Sequence, residues 1–265
     1  MLFQSGRRAW RWIAFAATVA NVAFSTLAQG LSFGEGSIRE IARRHADLFT
    51  PAGYAFAIWG ATWLATLAYA VHQLSPSQRH VDAHDRLAVP LTVLNALAAV
   101  WIVPFRLDMV GWSAAIAVAA LAAAFVLFLR VESAARRLQI DAWVRIPATL
   151  WFGWLCVAVL ANFSIWLVAS RGLDHEGRLA WACAALGAAL LAGLLVGRWF
   201  RNGIHPLVVA WACAAIWTGR RFDEPALAWL ALLGAAAMSA WAARCLLLSR
   251  RSDRGFRIFR GPLDA

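Results

Sequence analysis

The chain contains no lysine, so all 25 of its Lys/Arg positions are arginine. Acidic residues number 14 and tyrosines 2 in 265 positions, and charged residues make up only 15%. Charge this sparse does not suit the surface of a soluble domain. Hydrophobic residues reach 62%, gathered in runs too long and too many for a soluble core of this length. The fold class that follows is an all-α integral membrane protein, with the lipid bilayer as its first partner. Cys156, Cys183, Cys213 and Cys245 all fall inside apolar runs, with no CxxC pair and no histidine at ligand spacing. They read as small buried thiols, and no metal site is expected.

Other absences concern chemistry. No Walker-type loop and no Ser-His-Asp arrangement is visible. Haem ligation needs central histidines on facing helices, whereas His72 and His205 stand at span ends, where they are expected to be interfacial. Proton or sodium coupling has no mid-membrane carboxylate to use; Asp108 sits in a tight connection. The formal net charge of +11 would raise nucleic acid as a partner in a soluble protein. Here the arginines flank apolar runs, so headgroups and topology account for them and no nucleic acid is expected.

What is present is eight apolar runs near 20 residues. They extend from about Trp10 to Gln29, Tyr54 to Leu74, Leu87 to Phe105, Val110 to Val131, Trp143 to Ser170, Leu179 to Gly197, Ile204 to Thr218 and Pro225 to Leu248. The seventh is short. The first is too long for a signal peptide and lacks a clear A-x-A site. Eight spans place 17 of the 25 arginines on one side, which predicts cytoplasmic N- and C-termini. Losing the seventh span would put the arginine-rich C-terminus outside. Within "SIREIARRHADLFT", Ile38, Ile41, Ala42 and Leu48 recur opposite Arg39, Arg43 and Arg44. This predicts a short amphipathic surface helix, either a lid over a cavity or a plain connector.

Asparagine and tryptophan are the residues left for the interior. Asn95 and Asn162 fall within spans and need partners, whether helix, water or ligand. Sixteen tryptophans are present. Trp10, Trp12, Trp143, Trp199 and Trp229 lie near span ends and suit an aromatic belt. Trp59, Trp63, Trp101, Trp151, Trp154 and Trp166 lie deeper. Trp59 and Trp63 are four apart and Trp151 and Trp154 three apart, so each pair shares a helix face. Two such faces turned together, with the asparagines between them, would make an aromatic slot for a planar hydrophobic ligand. A second reading has the same rings packing helix on helix.

The order of these features resembles the TspO/MBR family of tryptophan-rich sensory and translocator proteins. Pro51, Phe56, Trp59 and Trp63 stand where that family's second span has its prolines, phenylalanine, tryptophan and tyrosine, with Ala52 replacing the second proline. Leu94-Asn95 matches the Leu-Asn pair of span three, and Trp101 follows later than the family's tryptophan. In "RIPATLWFGWLCVAVLANFSIW" the spacings of Trp154, Asn162 and Trp166 are those of span five, with Pro147 displaced by about one turn. The resemblance covers about residues 10 to 170, and the remaining spans look like the longer bacterial branch. It implies a five-helix core over 1-174 with a surface connector at 31-50, three additional helices over 175-250, and a basic cytoplasmic tail at 251-265. The setting implied is a bacterial inner membrane.

The implied activity is that of a non-enzymatic receptor or sensor taking a planar hydrophobic small molecule, a tetrapyrrole first, in the core of spans one to five. The ligand-lining set expected is Pro51, Tyr54, Phe56, Trp59, Trp63, Asn95, Trp101, Trp151, Trp154, Asn162 and Trp166. No cofactor is required, although a bound porphyrin would fit, and a homodimer stays open. Sterol binding is not carried over, because Phe163 stands near the tyrosine that the sterol pattern needs. The alternatives are a transporter or permease component for a small hydrophobic metabolite and, third, a tetrapyrrole-degrading enzyme.

Overall fold

The computed structural model describes residues 2–31, 33–45 and 47–259, and all the regular structure among them is helical. The helices are α1 (Leu2–Gly30), α2 (Ile38–Arg44), α3 (Ile58–His72), α4 (Ala83–Arg106), α5 (Val110–Arg136), α6 (Arg145–Arg171), α7 (His175–Phe200), α8 (Ile204–Arg220) and α9 (Pro225–Phe259). Seven of these are long and apolar enough to cross a membrane, and the chain is an integral membrane protein. The seventh predicted run folds as α8, whose 17 residues rise about 25 Å, short of the ~30 Å of hydrocarbon in a bilayer. The last helix, α9, continues to Phe259, into the stretch read as a basic tail from 251. Residues 260–265 and the side chains of Arg39, Arg43 and the arginines from Arg250 onward lie outside those described.

Local chemistry sets several boundaries. Gly172 closes α6 in the left-handed conformation (φ 57°), which glycine adopts without a Cβ penalty. Two residues later Asp174 caps α7 by accepting a hydrogen bond from the Gly177 N–H (2.8 Å). Ser37 and Glu40 form a capping box on α2: the Ser37 N–H donates to Glu40 Oε2 (2.7 Å) and the Glu40 N–H to Ser37 Oγ (3.3 Å).

The helix α6 is central. It packs on α3, α5, α7 and α8, while α1 lies against α3 and α4. One apolar cluster joins Tyr69, Leu91, Phe128, Trp151 and Phe152 across α3 to α6. A second joins Phe49 and Trp154 to Val208, Ile216 and Leu227, so the three C-terminal helices share packing with the first five. The α2 helix presses Ile41 (fully buried) among Phe105, Val110 and Ile165.

Three arginines hold the connections. Arg11 pairs with Asp85 (2.5 Å) and donates to the carbonyls of Gln78 and Val81 (both 2.9 Å). Arg106 donates to the carbonyls of Ala28, Leu31 (2.9 Å) and Gly36 (3.0 Å). Arg220 donates to the Leu48 carbonyl (3.0 Å) and to that of Asp47. Each guanidinium supplies donors to several backbone carbonyls in or beside the connections between helices.

Two histidines are interior, one of them His205, which departs from the interfacial expectation. His84 is fully buried, against the Tyr69 hydroxyl (3.1 Å) and Gln78 Oε1 (3.0 Å). His205 is fully buried, with no partner on either ring nitrogen among the described residues. A carboxylate is buried as well: Glu132 is held by Arg145 through Nε (3.0 Å) and Nη2 (2.7 Å) and receives a hydrogen bond from Asn202 Nδ2 (3.0 Å).

Candidate functional site

Beneath the 31–50 connector lies a cavity of about 620 Å³, enclosed by α1, α3, α4, α5 and α6. The connector is fastened over it. Gly34 (φ 72°) lies so close to Arg106 that a Cβ there would run into the Arg106 carbonyl, and the Glu35 N–H donates to that same oxygen (2.7 Å). At the other end of α2, Arg44 (2.9 Å) and His45 (2.7 Å) both reach the Asp108 carboxylate in the turn between α4 and α5. Burial would raise the pKa of Asp108, but the hydrogen bonds and charges of His45 and Arg44 outweigh it and hold the carboxyl below its ordinary 3.8. Asp47 closes the connector by accepting from the N–H groups of Phe49 (2.9 Å) and Thr50 (2.7 Å). Burial pushes its pKa up, against the lowering effect of those bonds and of Arg220.

The walls are aromatic. Of the eleven residues expected from sequence, Pro51, Phe56, Trp59, Trp63, Trp101, Trp154 and Asn162 line the cavity. Four do not. Trp151 is fully buried and donates its indole N–H to Thr66 Oγ1 (2.9 Å) on α3. Asn95 joins α4 to α1, accepting from Asn21 Nδ2 (3.0 Å) and donating to Thr18 Oγ1 (3.3 Å). Tyr54 turns to α8, hydroxyl to Thr218 Oγ1 (3.1 Å) and ring edge-on to Trp211 (5.2 Å). Trp166 covers Gly111 on α5, where an added Cβ would lie 3.3 Å from its Nε1.

The expected slot between facing tryptophan pairs is also corrected. Trp59 touches both Trp151 (centroids 5.3 Å) and Trp154 (6.2 Å) edge-on, so those faces close on each other and no asparagine stands between them. The open space is lined by Trp59 and Trp154 together with Trp63, Trp101 and Phe105. Thus Trp151 packs helix on helix, while Trp154 faces the cavity.

Polar groups are few and mostly matched. Asn162 Oδ1 accepts from Trp101 Nε1 (3.1 Å) and Ser113 Oγ (3.4 Å), and its Nδ2 donates to the Ala158 carbonyl (2.8 Å). Trp154 differs: its Nε1–H is buried with no acceptor among the described residues. Arg106 also lines the cavity, 5% exposed, with its guanidinium 3.9 Å from the Phe33 ring centroid. Its partners there are carbonyls and an aromatic face, and no Asp or Glu is among the lining residues. Arg106, Asn21, Ser25 and Ser37 are lining residues that sequence reading passed over. Arg106 ends an apolar run like any topology-setting arginine, and the pairing of Asn21 with Asn95 is a contact between two helices that no spacing along the chain signals.

Among the described residues no three His, Cys, Asp or Glu side chains gather as metal ligands. The geometry defines a class: a helical membrane protein with an aromatic, cation-bearing cavity closed by a short connector. A family model described as TSPO-like protein matches residues 11–244, and the chain belongs to that TSPO-like family. The match reaches through α7, α8 and much of α9, beyond the 10 to 170 stretch that carries the sequence resemblance. No curated protein and no solved structure matches the chain.

Proposed function

We propose that this protein is a non-enzymatic membrane receptor or sensor whose cavity takes a planar, hydrophobic, carboxylate-bearing ligand of the tetrapyrrole class. One observation carries the reading: an aromatic cavity of about 620 Å³ in which Arg106 is the one charged lining residue among those described. The volume lies in the range of about 300–1,000 Å³ usual for small-molecule sites. Aromatic faces suit a flat π-system. Among the described residues this buried guanidinium has no carboxylate partner, only carbonyl dipoles and the Phe33 ring face, and that favours an anionic ligand. The unpaired Trp154 N–H adds a donor awaiting an acceptor.

Titration of the purified protein with protoporphyrin IX, followed by tryptophan quenching, tests this. Saturable quenching is expected, weakened in a Trp59→Ala, Trp154→Ala double variant, with the dimethyl ester binding about tenfold less tightly because it lacks the carboxylates. Equal quenching by the double variant would sink the proposal.

A further inference from the structure

At the end of the bundle away from the cavity, the first turn of α4 and the last turns of α5 enclose a cleft of about 510 Å³. Arg86, Arg130, Arg137, Ser133, Leu87 and Leu129 are among its walls. The spacing of Arg130, Ser133 and Arg137 puts all three on one face of α5, opposite Arg86. Arg86 Nη2 donates to Gln139 Oε1 (2.7 Å) and Arg130 Nη1 donates to the Arg86 carbonyl (2.6 Å). Both partners are neutral. The Arg137 backbone N–H donates to the Ser133 carbonyl (3.3 Å), while its guanidinium has no hydrogen-bond or ion-pair partner among the described residues. No carboxylate lines the cleft; Asp85 and Glu132, adjacent in sequence to its walls, are held by Arg11 and Arg145. Among the described residues three cations thus converge without an anion, at the water end of two spans, beside leucines that an acyl chain would meet.

We propose that this cleft binds the phosphate of an anionic phospholipid. A guanidinium grips phosphate oxygens through paired N–H donors, and several around one groove add specificity that a single surface arginine lacks. Basic pockets between membrane helices are a recurrent setting for such headgroups. The cleft is independent of the cavity, so neither proposal rests on the other.

Native mass spectrometry from micelles containing equal phosphatidylglycerol and phosphatidylcholine provides the test. The wild-type chain is expected to retain one phosphatidylglycerol preferentially. At about 1 kcal/mol per arginine near an anionic surface, Arg137→Gln lowers that retention about fivefold and an Arg130→Gln, Arg137→Gln pair at least tenfold. A control pair at the same end, Arg79→Gln and Arg198→Gln, is expected to retain the lipid. Arg137 is exposed and unpartnered, so its single variant tests the site with the fold intact. Unchanged retention in Arg137→Gln, or equal loss in the control pair, overturns the proposal. Inorganic phosphate in neutral-lipid micelles raising the melting temperature as much as phosphatidylglycerol does would also overturn it, by making the site one for free anions.

Discussion

The Trp59 indole stands edge-on to that of Trp151, ring centroids 5.3 Å apart and planes at 69°, where α3 crosses α6. This contact consumes one member of the Trp151/Trp154 pair in packing and leaves the other to the cavity. The two tryptophans should therefore respond differently to the same substitution. Trp151→Phe removes the hydrogen bond to Thr66 from a fully buried site and is expected to destabilise the protein by ~1–3 kcal/mol. Thermal unfolding in detergent measures it, while porphyrin affinity should change little.

Trp154→Phe gives the reverse pattern. Its N–H has no protein acceptor, so removing it breaks no internal bond, and the melting temperature should hold. Loss of a donor to the ligand corresponds to about 1 kcal/mol, or roughly fivefold weaker binding. A variant that melts early but binds normally would refute the assignment of the indole N–H to the ligand.

The clasp between α2 and the α4–α5 turn should govern exchange into the cavity. Asp108→Asn leaves Arg44 and His45 facing a neutral amide, and faster porphyrin release with little change in fold is expected from stopped-flow dissociation. The pH dependence has a definite sign. The folded pKa of Asp108 lies below 3.8, so its contribution is fully present above that value and is lost as pH falls through the folded pKa. Hydrogen-exchange protection of residues 38–45 in the wild type should drop in that acid window, with no matching drop from this group in Asp108→Asn. Asp47 works oppositely: its raised pKa costs stability as pH rises from 3.8 through the folded value.

Glu132 and Arg145 anchor the end of α5 to α6, and Asn202 extends the contact to the start of α8. Arg145→Leu strands a carboxylate that is 1% exposed. The expected loss is about 3 kcal/mol, read as a large fall in melting temperature. Restoring a partner-free but uncharged site with Glu132→Gln in the same chain should recover part of it, since no charge is then left unpaired.

Gly34→Ala is expected to loosen the connector at its other end. The residue adopts φ 72° with no room for a Cβ beside the Arg106 carbonyl, so a shift of the backbone must follow. Proteolysis between 31 and 37 should accelerate in the variant, and porphyrin affinity should fall with it.

The helices themselves were legible because long apolar runs, Gly172, Asp174 and the bounding arginines act through neighbours in the chain. The capping box at Ser37 and Glu40 follows the same local logic, a Ser three residues before a Glu at a helix start. Trp59, Trp101, Trp154 and Asn162 were legible as interior residues from depth, and they do line the cavity. By contrast, nothing in the spacing of Trp151 and Trp154 separates the one bonded to Thr66 from the one with a free N–H.

Sequence alone determined that this chain crosses a membrane as helices, where most of those helices begin and end, and which residues lie deep. Those properties depend on local spacing and on hydrophobicity summed over a run. Tertiary structure decided that Asn95 serves α1, that Tyr54 serves α8, that the tryptophan faces close on each other, and that Arg106 stands in the cavity wall. The reason is geometric: helical periodicity fixes which residues share a face of one helix, but the azimuth of that face and the partner it meets depend on every other helix in the bundle.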